Sequence, residues 1–268
     1  LTYDKNGNIM SLTRNGWKGS SNFDNMDVLD YDYFNSELSN KLYKVRDDGS
    51  DTNGYKDSGV DDQDYWYDVN GNLTKDDNKG ITSITYYHFN LPKRVTFTGT
   101  NRYIDYIYDA NGVKIKRTVN DNTVDTETFY AGNYIYEDSS LKFFNQPEGY
   151  IVKNGSNYEY IYQYKDHLGN IRLSYKDANR NNGSSISLQI QEENNYYPFG
   201  LKHEGYNNAP LTNHPYKYNG VELNTGLGLN LYEMDVRSYD PAIARFTSLD
   251  PVTRFEFSPY SAFDNNPV

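Results

Sequence analysis

No cysteine occurs in the chain, which excludes a disulfide framework, thiol catalysis, iron–sulfur clusters and cysteine-ligated zinc, and leaves the redox compartment undecided. Basic residues are scarce beside acidic ones: 26 Lys+Arg stand against 37 Asp+Glu, a formal net charge of −11. That balance argues against a nucleic-acid partner, because binding phosphates needs a basic patch. Long apolar runs are missing too. No stretch approaches the roughly 18 apolar residues of a transmembrane helix, so no membrane span is expected. Hydrophobic residues make up 36% of the chain and mean hydropathy is −0.90, values that lean toward disorder.

The aromatic content points the other way. The chain carries 29 Tyr, 12 Phe and 2 Trp, or 16% of its 268 residues, whereas disordered chains are poor in aromatics. An aromatic, amphipathic core is expected, with Tyr rings buried and hydroxyls hydrogen-bonded or wet. The length allows one large or two small domains, and a single extended β architecture is possible. Leu1-Thr2-Tyr3-Asp4 opens inside a motif, so a signal peptide or upstream domain is expected to have preceded it.

The sequence repeats itself. Tyr3-Asp4-Lys5-Asn6-Gly7-Asn8-Ile9 matches Tyr67-Asp68-Val69-Asn70-Gly71-Asn72-Leu73, and Tyr108-Asp109-Ala110-Asn111-Gly112-Val113 is a third copy. Tyr164-Lys165-Asp166-His167-Leu168-Gly169-Asn170-Ile171 is a looser fourth, and Tyr87 and Tyr130 mark degenerate copies between them. The spacing is about 20 residues, the signature of a repeat architecture. Asn-Gly tolerates φ > 0 at both positions, so each copy predicts a hairpin closed by a two-residue type I′ turn at Asn6-Gly7, Asn70-Gly71 and Asn111-Gly112. The period-2 run Tyr158, Tyr160, Tyr162, Tyr164 places a ladder of rings on one sheet face. Isolated hairpins are marginal in water, so consecutive ones must pair edge to edge. The expected fold class is all-β, tandem hairpins forming a spiralling sheet. Two stretches break the pattern: residues 44–64, a polar loop or insertion, and residues 176–195, a second loop. Pro241-Ala242-Ile243-Ala244-Arg245 offers at most one helical turn.

These units resemble the YD repeats of the Rhs family. From Tyr164-Lys165-Asp166-His167-Leu168-Gly169-Asn170-Ile171-Arg172 onward the chain resembles the Rhs repeat-associated core domain. The match continues through Tyr197-Pro198-Phe199-Gly200, Tyr216-Lys217-Tyr218-Asn219-Gly220, Arg237-Ser238-Tyr239-Asp240-Pro241, Arg245-Phe246-Thr247-Ser248-Leu249-Asp250-Pro251 and Asn265-Asn266-Pro267. The wording resembles cores of Bacteroidota-type proteins. The resemblance implies a β-ribbon spiralling into a hollow shell, similar to Tc-toxin C components and the YD shell of teneurins, that often encloses a C-terminal toxin. It divides the chain into a YD-repeat region, 1–163, and a core domain, 164–268, that stops before an expected Asp-Pro-x-Gly element where relatives cleave themselves.

Asp250-Pro251 matches the first Asp-Pro element associated with autocleavage, which makes Asp250 the candidate autoproteolytic carboxylate and Arg245 its candidate charge partner. An aspartyl mechanism needs a second carboxylate and a raised pKa. Asp264 and Asp240 are near in sequence, while Thr253 stands where relatives carry Gly. The bland alternative is a turn or cap aspartate before proline. No two of His88, His167, His203 and His214 have metal-ligand spacing. The loop Asp47-Asp48-Gly49-Ser50-Asp51-Thr52-Asn53-Gly54 faintly resembles a calcium loop but has Ser58 at its twelfth position, so a solvated loop is the better reading. Gly226-Leu227-Gly228-Leu229 lacks the Lys-Ser/Thr and helix of a phosphate loop and reads as backbone packing or a bulge. No metal or cofactor is expected.

Three functions remain open. The first is a structural shell that houses a C-terminal cargo or toxin and is passed through secretion machinery. The second is an exported adhesin binding a surface glycan or receptor, for which exposed Tyr and Trp could stack on sugars. The third is a self-cleaving aspartyl autoprotease. Absent Cys, abundant Asn and Tyr, and few Lys favour a secreted or cell-surface destination, as does the resemblance.

Overall fold

The computed structural model describes residues 1–17, 23–35, 38–49, 53–59, 62–179, 185–204, 212–252, 254 and 256–267. Among them run 21 strands and four short 3-10 turns. The first sheet is a meander of β1 (Thr2–Tyr3), β2 (Ile9–Trp17), β3 (Phe23–Tyr33) and β4 (Leu42–Asp47).

The second sheet has 13 strands in sequence order. It begins with β5 (Tyr65–Tyr67), β6 (Leu73–Asp76), β7 (Ile81–Tyr86), β8 (Pro92–Phe97) and β9 (Arg102–Tyr108). It continues with β10 (Lys114–Asp121), β11 (Val124–Ala131), β12 (Tyr134–Glu137) and β13 (Ser140–Gln146). It ends with β14 (Gly149–Asn154), β15 (Asn157–Lys165), β16 (Ile171–Asp177) and β17 (Leu188–Glu193). Every pairing is antiparallel between neighbours in sequence. The Asp64 amide donates to the Tyr43 carbonyl at 3.0 Å and the Val45 amide to Asp64 Oδ2 at 3.0 Å, so the two sheets adjoin. A third sheet of β18 (Leu223–Asn224), β19 (Leu231–Glu233), β20 (Ser238–Asp240) and β21 (Arg245–Phe246) packs on one face of this ribbon.

Strand alternation selects the buried face. In β9, Ile104 and Tyr106 are buried while Asp105 and Ile107 face outward. Leu42, Val45, Ile81 and Ile104 are 0% exposed and pack with Leu231, Tyr232, Tyr239 and Phe246 of the third sheet. Each such side chain contributes about 1.5–3 kcal/mol of burial. The third sheet is therefore the lid on the ribbon's apolar face.

The repeat turns are hairpins, as the sequence predicts, but of a different type. Only Gly7, Gly71 and Gly112 of the Asn-Gly pairs have positive φ. In each, the glycine amide donates to the Asp carbonyl three residues back, and the Asp amide to the carbonyl four residues ahead. This is a three-residue loop, a type I turn closed by a left-handed glycine, rather than a two-residue type I′ turn. The Asp of the repeat explains why. Asp4 Oδ1 accepts from the Asn6 and Asn8 amides, both at 2.8 Å, and its Oδ2 accepts from Asn8 Nδ2 at 2.8 Å. Asp68 holds Asn72, and Asp166 holds Leu168 and Asn170, the same way. The Asn then reaches the next turn: Asn8 Nδ2 donates to Asn40, Asn72 Nδ2 to Asn90, and Asn170 Oδ1 accepts from the Asn219 amide, at 2.8–3.0 Å.

The expected ring ladder does lie on one sheet face, whereas the loop expectations are corrected. Tyr158, Tyr162 and Tyr164 are solvent-exposed, and Ile161 of the opposite face joins Ile135, Phe143 and Tyr150 in a second core cluster. The ring ladder is an outer surface. Residues 44–64 are not all loop, because β4 ends at Asp47 and Tyr55 is buried, its hydroxyl 3.0 Å from that of Tyr65. Residues 176–195 contain β17, the edge strand of the long sheet. Residues 241–244 form a tight turn joining β20 to β21, with Ala244 at positive φ, and no helix.

Candidate functional site

Residues 245–250 are clamped on both sides. The Thr247 amide donates to Ser238, the Phe246 amide to Tyr260 and the Asp250 amide to Pro259, while Leu73 of the ribbon donates to Thr247. Asp250 thus leaves a fixed backbone four residues beyond β21. Its Oδ1 accepts from the Val252 amide at 2.8 Å, the Asx turn expected of an aspartate before proline. Its Oδ2 accepts from Arg237 at 2.9 Å.

Arg237 is the cation of this site. Its guanidinium lies 3.6 Å from the Phe246 ring centroid and also donates to the Pro259 carbonyl at 3.3 Å, leaving Nε without a partner. Burial pushes Arg237 below its ordinary pKa, against the opposing pull of Asp250. A cavity of about 290 Å³ is lined by both ion pairs of the region, Arg237 with Asp250 and Arg254 with Asp264. The structure therefore brings Asp264 to the same cavity as Asp250. Asp264 sits in a left-handed turn with Phe263 and Asn265, all three at positive φ. That turn is held by Asn265 Nδ2 donating to the Gly7 carbonyl at 2.9 Å.

Arg245 is elsewhere. It is buried, donating to the Tyr33 hydroxyl at 2.9 Å and the Asn40 carbonyl at 2.7 Å. It fastens β21 to the first sheet, and the charge partner of Asp250 is Arg237 instead. Asp240 is also separate: its Oδ1 caps the Ala242 amide and its Oδ2 pairs with Lys79 at 3.1 Å. Beside it lies Asp76, fully buried, whose carboxyl is pushed up to about 7 mainly by desolvation, with Lys79 opposing and Asp240 adding. Sequence reasoning missed both Arg237 and Asp76. Arg237 stands in the Arg-Ser-Tyr-Asp-Pro motif, but only packing shows that it reaches Asp250.

A second polar cluster ties ribbon to lid. Lys114 Nζ donates to Glu222 at 2.6 Å and to Glu233, Arg117 donates to Glu222 at 2.8 Å, and the Tyr106 hydroxyl donates to Glu233 at 2.8 Å. The calcium-like loop lies partly outside the described residues, as Ser50, Asp51 and Thr52 do, along with Asp61 and Thr253. Asp47 spends its Oδ1 on the Val28 and Gly49 amides. His214 is buried against Tyr150 at 3.9 Å. A side chain added at Gly226 would lie 3.2 Å from Val119 and 3.4 Å from Ile104, a tight packing of this turn against β9 and β10. No helix among the described residues is long and apolar enough to cross a membrane.

No family model matches the chain. It is 28% identical over 219 residues to salivary gland surface protein 1 of Aedes aegypti, and 27% identical over 226 residues to the tRNA3(Ser)-specific nuclease WapA of Bacillus spizizenii. Those matches cover 75% and 78% of this chain but only 6% and 9% of the relatives, so the chain spans less than a tenth of either. Among solved structures, a TcdB2–TccC3–Cdc42 crystal structure superposes over 99% of this chain and 15% of that one, with a TM-score of 0.65 at 17% identity. A Tc holotoxin pore of Photorhabdus luminescens superposes over 91% of this chain and 16% of that one, with a TM-score of 0.57 at 15% identity. The likeness is one of fold: an all-β ribbon of antiparallel hairpins.

Proposed function

We propose that this chain is the closing segment of a secreted Rhs-type shell that encloses or delivers a C-terminal toxin or effector. The observation that carries this reading is the long hairpin ribbon folded over its own terminal segment, with nearly the whole chain superposing on a TcdB2–TccC3–Cdc42 structure. The similarity to a nuclease named for acting on a tRNA supports a toxin context. The partners on this reading are the protein's own C-terminal cargo and a secretion machinery, and the destination is extracellular. Within it, Asp250 is the carboxylate that activates a nucleophile for self-cleavage, Arg237 orients it, and Asp264 is the second carboxylate at the cavity.

The test is protection. In the full-length protein, the part C-terminal to residue 268 should resist added protease while the shell is folded and be digested once it is unfolded. Digestion at the rate of the isolated C-terminal part would defeat the shell reading. An adhesin is the second reading, favoured by the exposed rings of Tyr134, Tyr158, Tyr162 and Tyr164 and by the likeness to a surface protein; equal protease sensitivity together with binding to cell-surface glycans would support it.

A further inference from the structure

We propose that the cavity between the Asp76–Lys79 turn and the lid binds a small acidic polyol, a sugar acid or sugar phosphate. The cavity measures about 460 Å³, within the few hundred Å³ usual for small-molecule sites. In a chain with a net charge of −11, it gathers Lys56, Lys79, Lys202 and Lys217 against only Asp76 and Glu204.

Two of those cations are committed. Lys79 pairs with Asp240 at 3.1 Å, and Lys217 pairs with Glu192 out of contact with solvent. Half-buried Lys202 has no ion-pair partner among the described residues, and its charge is close enough to help push the Lys217 ammonium down. An anionic group entering the cavity meets an ammonium whose attraction is strengthened by partial burial.

The rest of the lining suits hydroxyls. Asn78 Nδ2 donates to the Tyr55 hydroxyl at 2.5 Å while its Oδ1 accepts from the Ser58 amide at 2.8 Å, which fixes the amide's orientation. The Tyr55 and Tyr65 hydroxyls are 3.0 Å apart. This chain of groups is set before any ligand arrives, so little ordering cost remains. At the rim, Asn213, Thr225 and Asn230 are exposed and supply paired donors and acceptors. A carboxylate or phosphate on Lys202 and ring hydroxyls on the amides satisfy both sets at once.

Isothermal titration of the full-length protein with glucuronate, glucose 6-phosphate, glucose and inorganic phosphate tests this. Saturable binding of glucuronate or glucose 6-phosphate, at least about tenfold tighter than glucose or phosphate, is expected. Lys202→Gln should weaken it about tenfold or more, whereas Lys93→Gln on the outer face should not. Asn230→Ala, at the exposed rim, should also weaken it and keeps the test valid if Lys202→Gln folds poorly. Absence of saturable binding by both acidic probes, phosphate binding as tightly as glucose 6-phosphate, or unchanged affinity in folded Lys202→Gln and Asn230→Ala would each overturn the proposal.

Discussion

The Tyr260 hydroxyl donates to the Gly71 carbonyl at 2.8 Å, across 189 residues of chain. A side chain added at Gly71 would meet Leu249 at 2.6 Å and the Tyr260 hydroxyl at 2.8 Å, whereas at Gly112 it would meet only Leu91 at 3.5 Å. Both glycines have φ near +80°. One repeat position thus carries a local demand alone, and its equivalent carries that demand plus the docking of the terminal segment.

Gly112→Ala is expected to destabilise by about 1–2 kcal/mol through the left-handed backbone alone. Gly71→Ala adds an overpacking cost of about 1–3 kcal/mol. Chemical denaturation of both variants checks the order, and equal losses would show that the lid does not bear on the Gly71 turn.

The repeat aspartates should matter as acceptors of turn amides. Asp68→Ala removes the acceptor of the Asn72 backbone amide and leaves the Asn72 side chain only its bond to Asn90, and is expected to cost about 1–3 kcal/mol. Asp109, which faces Val113 in place of Asn, makes no side-chain pair with that position and should cost less. Denaturation midpoints of the two alanine variants decide it.

Stability should depend on pH through two buried groups with opposite signs. Burial pushes His214 down to about 3 from 6.5, so between those values the unfolded chain binds a proton that the folded chain refuses, and stability falls as pH drops from 6.5 toward 3. Asp76, raised to about 7 from 3.8, keeps its proton when folded, so its contribution falls as pH rises from 3.8 to 7. His214→Phe should flatten the acid limb, and Asp76→Asn should raise stability at pH 8 more than at pH 4. Thermal melts across pH 4–8 that move in parallel with wild type would refute the assignments.

What the sequence could show was what local chemistry determines. Asn-Gly between alternating runs placed the hairpins at 4–8, 68–72 and 109–113, because turn residues act within a few positions. The turn type was less legible, since it depends on the Asp side chain accepting two amides and leaves only glycine left-handed. Alternation put Tyr158, Tyr160, Tyr162 and Tyr164 on one face but is symmetric between faces; the packing of Ile161 with Ile135 and Phe143 broke that symmetry. Tyr55 entered the core from an otherwise polar stretch. At the candidate site, Arg245 and Arg237 were both close to Asp250 in sequence, and only the clamping of β21 between β20 and residues 258–261 directs one to Tyr33 and the other to Asp250.

Self-cleavage gives the sharpest separation of those two arginines. A chain extended through the several tens of residues that follow Val268 is expected to cut itself shortly after Asn265-Asn266-Pro267. Asp250→Asn should abolish cleavage with the fold intact, because its side-chain oxygen can still accept from the Val252 amide while it cannot take up a proton as the carboxylate does. Arg237→Gln should slow cleavage because it acts on Asp250, with a smaller loss of stability than Arg245→Gln, since it removes a part-buried ion pair and the contact with Phe246. Arg245→Gln should instead lower stability, by about 3 kcal/mol or more for a buried cation's hydrogen-bonded site, and slow cleavage only as the fold is lost. Cleavage rates and melting temperatures measured together distinguish the cases. An intact band for the extended wild type removes autoproteolysis from the reading, cleavage that survives Asp250→Asn moves the chemistry to another carboxylate, and a cleavage defect in folded Arg245→Gln equal to that of Arg237→Gln would return Arg245 to the site.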